Sequence, residues 1–261
     1  KTWQISSDII SQNISQKTAG LIGVHLYGFP YDVENIYNIV KEKNIWMIED
    51  SAQAHGARLN GQKIGTFGEI ATYSFFPGKN LGAFGDAGAI NTNSETLADL
   101  CRKLADGGRT NKYEHEILGW NSRLDTLHAS VLDAKLQLLD EWNVERTNIA
   151  NIYDDRLKNI EQITLPIKLD NTIPVYHIYP VLVENRERFI NYMNEKGVST
   201  GIHYPIPLHL QNAFSYLGHK MGDFPNSEEI CFNEVSLPIF PYMDHDDAHY
   251  VCDVIESYFK N

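Results

Sequence analysis

Residues 21–50 decide the fold and read LIGVHLYGFPYDVENIYNIVKEKNIWMIED. An apolar run over residues 21–27 is followed by apolar residues at helical spacing, and a second apolar run over residues 45–48 ends at Glu49 and Asp50. Apolar runs without alternation, separated by a helix, are typical of parallel strands covered on both faces. The stretch therefore predicts a right-handed strand–helix–strand unit, and with it an α/β fold.

C-terminal to this unit, the sequence predicts further strands of the same sheet and two helices. Strands are predicted over residues 70–76 and 87–92, on either side of a glycine-rich loop, and a helix over residues 95–106. One long amphipathic helix is predicted from residue 124 to about residue 158.

After residue 160 the pattern changes to that of a smaller α+β domain. The predicted elements are strands over residues 176–183 and 199–203 and helices over residues 186–196, 227–235 and 246–260. We therefore predict a large domain over residues 1–160 and a small C-terminal domain over residues 161–261.

Composition narrows the class of protein. The 261 residues include 22 Lys and Arg against 34 Asp and Glu, a net charge of −12. Such acidity repels a phosphate backbone and argues against a nucleic-acid-binding protein. No apolar run reaches the roughly 18 residues that span a bilayer, no secretion signal is visible, and three scattered cysteines fit free thiols. These features predict a cytoplasmic protein that binds neither nucleic acid nor membrane.

Two residues indicate chemistry. Asp50 follows a buried strand, and ligands of open α/β sheets bind beyond the carboxyl ends of the strands. Lys79 lies in the glycine-rich loop, and a lysine in apolar surroundings has a lowered pKa that makes its amine a nucleophile. Singly, the two also fit a helix cap and a surface loop. A phosphate-binding P-loop is excluded, because Tyr73 and Asn80 stand where it requires Gly and Ser or Thr.

Together, an acid at a strand end, a hydroxyl at Ser74 and a lysine match the requirements of pyridoxal phosphate. The carboxylate keeps the pyridine nitrogen protonated and the lysine forms the Schiff base. Hydroxyls and backbone N–H groups hold the phosphate.

Two further clusters leave alternatives open. The basic stretch of Arg102, Lys103, Arg109 and Lys112 fits a nucleotide diphosphate site or a solvated helix face equally well. Residues 244–249 carry acids and histidines that fit a metal site, but acids in a first helical turn are favoured electrostatically anyway. We favour the capping interpretation there and expect no metal site.

Five blocks carry a family resemblance along nearly the whole chain. They are EDSAQAHGA at 49–57, SFFPGKNLG at 74–82, GDAGA at 85–89, GWNSRLD at 119–125 and HYPIPLH at 203–209. With these blocks the chain resembles the DegT/DnrJ/EryC1/StrS aminotransferases. They are fold-type I, pyridoxal-phosphate-dependent enzymes that aminate keto groups of nucleotide-linked sugars. The resemblance implies a mixed, mostly parallel sheet in the large domain.

The resemblance implies a cofactor role for each matching residue of the first two blocks. Lys79 would carry pyridoxal 5'-phosphate as an internal aldimine and then shuttle the proton of the amino-acid Cα. Asp50 would pair with the pyridine nitrogen. Ala52, Gln53 and Ser74 would complete the cofactor-binding set, with Gln53 near the phenolic oxygen and Ser74 at the phosphate.

The later blocks imply an assembly and a substrate. Asn121, assisted by Arg123, would reach the cofactor phosphate of the neighbouring subunit in a homodimer. His203, Tyr204 and His209 would lie near the entrance for the sugar nucleotide.

The implied reaction moves an amino group from an amino acid, expected to be glutamate, to a nucleotide-linked ketosugar in amino-sugar and polysaccharide biosynthesis. Residues 85–89 and 113–119 most resemble enzymes that act at C3 of dTDP-keto-6-deoxyhexoses. The stretch TWQIS at 2–6 resembles an internal segment of the family, so we expect the N-terminal portion of the large domain to be missing. The alternative is a catalytically silent fragment or paralogue that keeps dimerisation or sugar-nucleotide binding.

Overall fold

The computed structural model describes residues 2–260, which form two compact units. The sheet unit comprises Gln4–Glu141 and Leu169–Val175, and the C-terminal unit comprises residues 2–3, Trp142–Lys168 and residues 176–260. The domain boundary near residue 160 stays a prediction.

The sheet unit begins with alternating helices and strands. In chain order they are α1 (Ser7–Asn13), β1 (Gly20–Val24), α2 (Val33–Glu42), β2 (Trp46–Asp50), β3 (Arg58–Leu59), β4 (Gln62–Lys63), β5 (Ile70–Ser74), β6 (Gly88–Asn91), α3 (Glu95–Ala105) and α4 (Thr126–Leu136). A 3-10 turn covers Leu26–Gly28. The predicted strand–helix–strand unit is thus present as β1, α2 and β2.

The rest of the chain forms mainly the C-terminal unit. Its elements are α5 (Leu139–Leu157), β7 (Ile163–Thr164), β8 (Thr172–Ile173), which belongs to the sheet unit, β9 (Tyr179–Val183), α6 (Arg186–Glu195), α7 (Pro225–Asn233), β10 (Glu234–Leu237) and α8 (His245–Lys260). Two 3-10 helices cover Leu208–Leu210 and Asn212–Leu217.

The principal sheet has the order β1-β2-β5-β6. The pairs β1–β2 and β2–β5 are parallel, whereas β5–β6 is antiparallel. The sheet is therefore mixed and mostly parallel, as predicted. Asp50 is the Cα partner of Val24 on one side and of Thr72 on the other, so the carboxyl ends of three strands meet at one edge.

Helix α2 covers the sheet because its apolar residues recur every three or four positions. Val33, Ile36 and Val40 are buried and pack in one cluster with Met47 of β2. A second, smaller core of the sheet unit joins Leu81, Ala83, Leu132 and Leu139, so the glycine-rich loop packs against α4.

The C-terminal unit is built on a second, antiparallel sheet of order β10-β9-β7. Every residue of β9 and β10 is buried. Phe189 of α6 and Tyr258 of α8 pack edge to face with ring centroids 5.2 Å apart. Arg156 of α5 donates to Asp253 and Glu256 of α8, at 2.6 Å each, and joins those two helices at their surface.

Three predicted elements differ from the structure. The long helix predicted from residue 124 to 158 is wrong: α4 ends at Leu136 and α5 begins at Leu139. Residues 199–203 form only an isolated bridge, from Gly201 to Ser236, instead of a strand. The helix predicted over residues 227–235 ends at Asn233, because the next four residues pair with β9 as β10.

No helix in the described part of the chain, residues 2–260, has both the length and the apolar character needed to cross a membrane.

Candidate active site

Asp50 is placed at the carboxyl end of β2 by its own backbone and side chain. Its carbonyl accepts a hydrogen bond from the His25 N–H at 3.1 Å, which extends the pairing with β1. Its Oδ1 accepts from the Ala52 N–H at 3.0 Å and turns the chain out of the strand. Residues 51–57 form turns and no helix, so the helix-cap alternative for Asp50 is wrong, and its bond to Ala52 closes a turn instead. Asp50 itself stays half-exposed at the sheet edge.

The loop that carries Lys79 is tightly folded. Ser74 ends β5, and its Oγ accepts from the Phe76 N–H at 3.3 Å. The Lys79 N–H donates to the Phe76 carbonyl at 2.9 Å. An added Cβ on Gly82 would lie 2.4 Å from the Pro77 carbonyl oxygen, so only glycine permits this close return of the chain. The loop is thus closed on itself, with Lys79 near its middle.

The Lys79 amine is partly desolvated and close enough to Asp50 to sense its charge. Burial lowers the pKa of Lys79, and the Asp50 carboxylate acts in the opposite direction. His55 also senses this amine. Burial, and then the charge of Lys79, lower the pKa of His55 to about 4, against a hydrogen bond to the Ser74 backbone. The structure therefore brings Asp50, Ser74 and Lys79 into one environment and adds His55, for which the sequence predicted no role.

Gln53 is buried beside this environment. Its Oε1 accepts a hydrogen bond from the Tyr27 N–H, and Tyr27 has a left-handed backbone with φ of 62°. The Gln53 amide therefore fixes the turn that follows β1. The predicted contact of Gln53 with the cofactor, like that of Ala52, stays a prediction.

A buried carboxylate next to Asp50 was missed by the sequence analysis. Glu49 is fully buried, and it accepts backbone hydrogen bonds from Gly65 at 2.8 Å, Phe67 at 2.7 Å and Gly68 at 2.8 Å. Its fourth partner is His25 Nε2 at 3.3 Å. Burial acts to raise the pKa of Glu49, but the hydrogen bonds from His25, Gly68 and Gly65 outweigh it, and the pKa lies below its usual value.

His25 is the neutral donor to this carboxylate. Its Nδ1 accepts from the Tyr31 N–H at 3.3 Å, so the ring proton is on Nε2 and faces Glu49. The ring stacks on Tyr31 with centroids 4.2 Å apart, and burial lowers its pKa. Because successive residues of a strand face opposite sides, the pair Glu49-Asp50 at a strand end is the signal that could have revealed a second, buried carboxylate.

Asn121 and Arg123 lie on the exposed segment after α3. Arg123 Nε donates to Asn121 Oδ1 at 3.2 Å and lies 3.5 Å from Asp106 Oδ1. Asn121 also forms an isolated bridge with Asp106. The structure thus groups the two predicted residues with each other, and their role toward a neighbouring subunit stays a prediction.

Three of the four residues of the basic stretch have acidic partners. Arg109 donates to Asp106, Arg102 to Asp99 at 2.9 Å and Lys103 to Glu116 at 2.6 Å. These ion pairs favour the solvated-face interpretation of the basic stretch over a nucleotide diphosphate site.

His203 and Tyr204 belong to the C-terminal unit. The His203 N–H donates to Glu234 Oε2 at 2.6 Å, and His203 Nδ1 lies 2.8 Å from Ser236 Oγ. Glu234 is fully buried, and burial raises its pKa to about 7. Tyr204 is exposed, with its ring against His203. The predicted place of both at a substrate entrance stays a prediction.

His209 is bound to an acid of its own unit. Its Nε2 lies 2.9 Å from Glu228 Oε1, and Glu228 also accepts from the backbone N–H groups of Gly222 at 2.9 Å and Phe224 at 3.3 Å. This contact stabilises the turn before α7, and a substrate role for His209 stays a prediction.

The acidic segment before α8 caps that helix. The Asp246 N–H donates to Asp244 Oδ1 at 2.9 Å. Within residues 2–260, no three His, Cys, Asp or Glu side chains are arranged to hold a metal ion.

The donor set of the sheet unit fits pyridoxal phosphate. It offers a half-buried lysine whose pKa is lowered, a carboxylate at the end of β2, a serine hydroxyl at the end of β5 and a buried amide. A cationic ring nitrogen, a carbonyl carbon and a phosphate each find a matching group here.

Comparison with known proteins gives one consistent family. Residues 1–256 match the DegT/DnrJ/EryC1/StrS aminotransferase family. The chain is 43% identical over 257 residues to the dTDP-3-amino-3,6-dideoxy-alpha-D-galactopyranose transaminase of Aneurinibacillus thermoaerophilus, covering 98% of this chain and 70% of that protein.

Two solved structures show the same fold. DesV of S. venezuelae, in complex with a ketimine intermediate, aligns with a TM-score of 0.95 at 37% identity, over 99% of this chain and 70% of DesV. NtdA of Bacillus subtilis, with bound cofactor PMP, aligns with a TM-score of 0.88 at 30% identity, over 100% of this chain and 61% of NtdA. These matches confirm the predicted fold-type I class. The chain spans 61–70% of the length of the three relatives.

Proposed function

The chain belongs to the DegT/DnrJ/EryC1/StrS aminotransferase family, and on this basis we propose that it serves a pyridoxal-phosphate-dependent transfer of an amino group from glutamate to a nucleotide-linked ketosugar. One observation carries the proposal. The half-buried Lys79 amine shares an environment with Asp50 at the carboxyl end of β2, where ligands of such sheets bind.

Five residues of the sheet unit would hold the cofactor. Lys79 would bind it covalently through Nζ, and Asp50 would hold the pyridine nitrogen in its protonated form. Ser74 would donate its hydroxyl to the phosphate, and Gln53 and Ala52 would complete the cofactor-binding set. The cofactor supplies the electron sink that makes the Cα proton of the amino acid acidic.

The lowered pKa of Lys79 suits it to proton transfer. Because burial disfavours its ammonium form, a larger fraction of the amine is unprotonated near neutral pH than on a surface lysine. Lys79 Nζ would therefore accept the Cα proton of the donor and deliver it to the cofactor within the first half-reaction, and it would move a proton in the opposite direction in the second. Asp50 opposes this shift, so its distance from Lys79 sets how much of the amine is free.

For the acceptor, we propose a dTDP-linked 3-keto-6-deoxyhexose, which places the reaction in amino-sugar biosynthesis. The support is the resemblance of residues 85–89 and 113–119 and the name of the relative at 43% identity, a dTDP-3-amino-3,6-dideoxyhexose transaminase. His203, Tyr204 and His209 are proposed to lie at the entrance for this substrate.

We propose that the working assembly is a homodimer in which Asn121, with Arg123, serves the cofactor phosphate of the neighbouring subunit. Asn121 is exposed, and large apolar side chains near it are exposed as well, with Leu118 94% and Leu127 81% accessible. Such a concentration of apolar surface is typical of a face that another chain covers.

Borohydride trapping tests the proposal directly. The chain is incubated with pyridoxal phosphate, reduced, digested and mapped, and we expect the pyridoxyl group on Lys79. Lys79→Ala is expected to abolish the label, whereas Lys63→Ala, at an exposed lysine of β4, keeps it. Glutamate added before reduction is expected to remove the label and release 2-oxoglutarate. Absence of any specific label overturns the proposal and supports the catalytically silent alternative.

A further inference from the structure

Helix α4 contacts the Lys79 loop at several points that the proposed reaction does not use. Lys135 Nζ donates to the Gly82 carbonyl oxygen at 2.6 Å, and its ammonium lies 5.4 Å from the centroid of the Phe84 ring. Leu132, one turn earlier, packs in a cluster with Leu81 and Ala83. Helix α4 therefore packs against the second half of the loop and holds it in place.

The bond from Lys135 falls where the loop closes. An added Cβ on Gly82 would lie 2.4 Å from the Pro77 carbonyl oxygen and 2.9 Å from that of Phe76, so Gly82 lies against the start of the loop. The Lys79 N–H is bonded to that same Phe76 carbonyl. Lys79 thus lies between the start of the loop, at Phe76, and Gly82, and Lys135 stabilises the contact between these two segments.

A second contact of α4 lies further along. An added Cβ on Gly85 would lie 2.9 Å from His128 Cε1, so the imidazole packs directly on the backbone after the loop. Lysine normally keeps its ammonium in water and buries only its methylenes. The ammonium of Lys135 instead donates to the main-chain carbonyl of Gly82, which indicates that the position of this carbonyl matters.

We propose that Lys135 is a positioning residue for Lys79: by holding the Gly82 carbonyl it keeps the loop closed and sets the place of the Lys79 amine relative to Asp50. The inference rests on the proposed function, in which Lys79 is the reactive amine.

The closed loop has a measurable consequence for Lys79. Two causes act on its pKa, burial first and the Asp50 carboxylate second, and both depend on where the loop holds the amine. If the loop opens, water reaches the amine and the burial effect diminishes, so its pKa rises. The ammonium of Lys135 is not one of these two causes.

The test uses the full chain without cofactor. Acetic anhydride labels unprotonated amines, and the labelling of Lys79 is followed by peptide mass spectrometry across a pH series. The midpoint of that curve reports the pKa, and its plateau reports accessibility. We expect Lys135→Met to move the midpoint upward, so that the free-amine fraction at pH 8 falls roughly three- to tenfold. Lys135→Arg, which still donates to a carbonyl, is expected to restore the midpoint.

Lys41→Met is the matched control. Lys41 also lies over an aromatic ring, 5.6 Å from the Tyr37 centroid, but on α2 and away from the loop, so its removal is expected to leave the midpoint unchanged. As a second readout, equilibrium dialysis is expected to show several-fold weaker binding of pyridoxal phosphate to Lys135→Met than to Lys41→Met.

Three results overturn the inference. They are an unchanged midpoint in Lys135→Met, the same shift in Lys41→Met, and a failure of Lys135→Arg to restore the midpoint. A lower melting temperature of Lys135→Met with an unchanged midpoint shows a merely structural role. Because the titration is made without cofactor, it stays interpretable even if trapping shows that Lys79 binds no pyridoxal phosphate.

Discussion

Replacing Glu49 by Gln tests the buried network beneath the site. The substitution keeps the shape of the side chain and removes its charge. In the wild type, Oε1 accepts from the N–H groups of Phe67 and Gly68, and Oε2 accepts from the Gly65 N–H and faces His25 Nε2. Whichever oxygen becomes the amide nitrogen, two donors lose their acceptor.

The magnitude follows from these donors. A buried donor left without an acceptor costs about 1–3 kcal/mol. The amide is expected to face Phe67 and Gly68, which are partly exposed, instead of the buried Gly65 and His25. His25 cannot relieve the other orientation by changing its tautomer, because Nδ1 already accepts from Tyr31. We therefore expect a loss of about 2–4 kcal/mol at pH 7.

Amide hydrogen exchange measures this loss locally. The exchange of Phe67 and Gly68, which lose their acceptor, is expected to accelerate roughly 30- to 700-fold in Glu49→Gln, the factor that corresponds to about 2–4 kcal/mol. Glu69→Gln is the control, because Glu69 accepts a single backbone hydrogen bond, from Met47 at 2.8 Å, and is half-buried. Its loss is expected to be about 1 kcal/mol.

The stability difference between wild type and Glu49→Gln is expected to depend on pH. The folded pKa of Glu49 lies below 4.5, so the ionised form contributes stability above that value and the contribution is lost as pH falls through the folded pKa. The difference between wild type and Glu49→Gln is thus expected to shrink below pH 4.5. Exchange within about threefold of wild type at both amides refutes the network, as does a difference that persists undiminished at pH 3.5.

Two further predictions concern stability. Gly65→Ala is expected to cost about 2–5 kcal/mol in urea unfolding, because its Cβ would lie 1.9 Å from Tyr73 Oη at a φ of +86°. Gly61→Ala, at φ +79° with nothing within 4 Å, is expected to cost only about 1–2 kcal/mol, and equal losses contradict the clash. Burial raises the pKa of Glu234 to about 7, so ionisation lowers wild-type stability as pH rises from 4.5 to about 7. Relative to wild type, Glu234→Gln is therefore expected to gain about 2–3 kcal/mol between pH 5 and pH 8 in urea unfolding, and a constant difference argues against a buried titrating carboxyl.

The parts of the fold that the sequence predicted are those fixed by local periodicity. The helix α2 and its flanking strands follow from apolar residues at fixed spacing, so their bounds were predicted within a few residues. Asp50 and Lys79 were predicted because strand ends and glycine-rich loops are where ligands bind. The strand end at Asp50 and the glycine-rich loop at Lys79 both lie within one stretch of about thirty residues, so they could be interpreted together.

The parts that were missed depend on distant partners. Strand β10 forms because Val235 and its neighbours pair with β9, some fifty residues earlier, and nothing in EVSL itself excludes a helix. The break between α4 and α5 interrupts an apolar pattern that continues across it at helical spacing. Glu49 was missed because its donors come from residues 65–68, a turn with no periodicity to reveal it.

The site and its support meet on β2 and β5. Alternation on β2 sends Asp50 to the ligand edge and the preceding Glu49 into the core, where it binds the turn that leads into β5. The same β5 ends at Ser74, and the loop after it carries Lys79 and is fastened by Lys135. Strand β5, which leads to Lys79, is therefore held at its start by Glu49 and at its end by α4. Both sets of contacts, those of Glu49 and those of Lys135, act on the short strand β5. The position of the Lys79 amine relative to Asp50 therefore depends on contacts that neither Lys79 nor Asp50 makes.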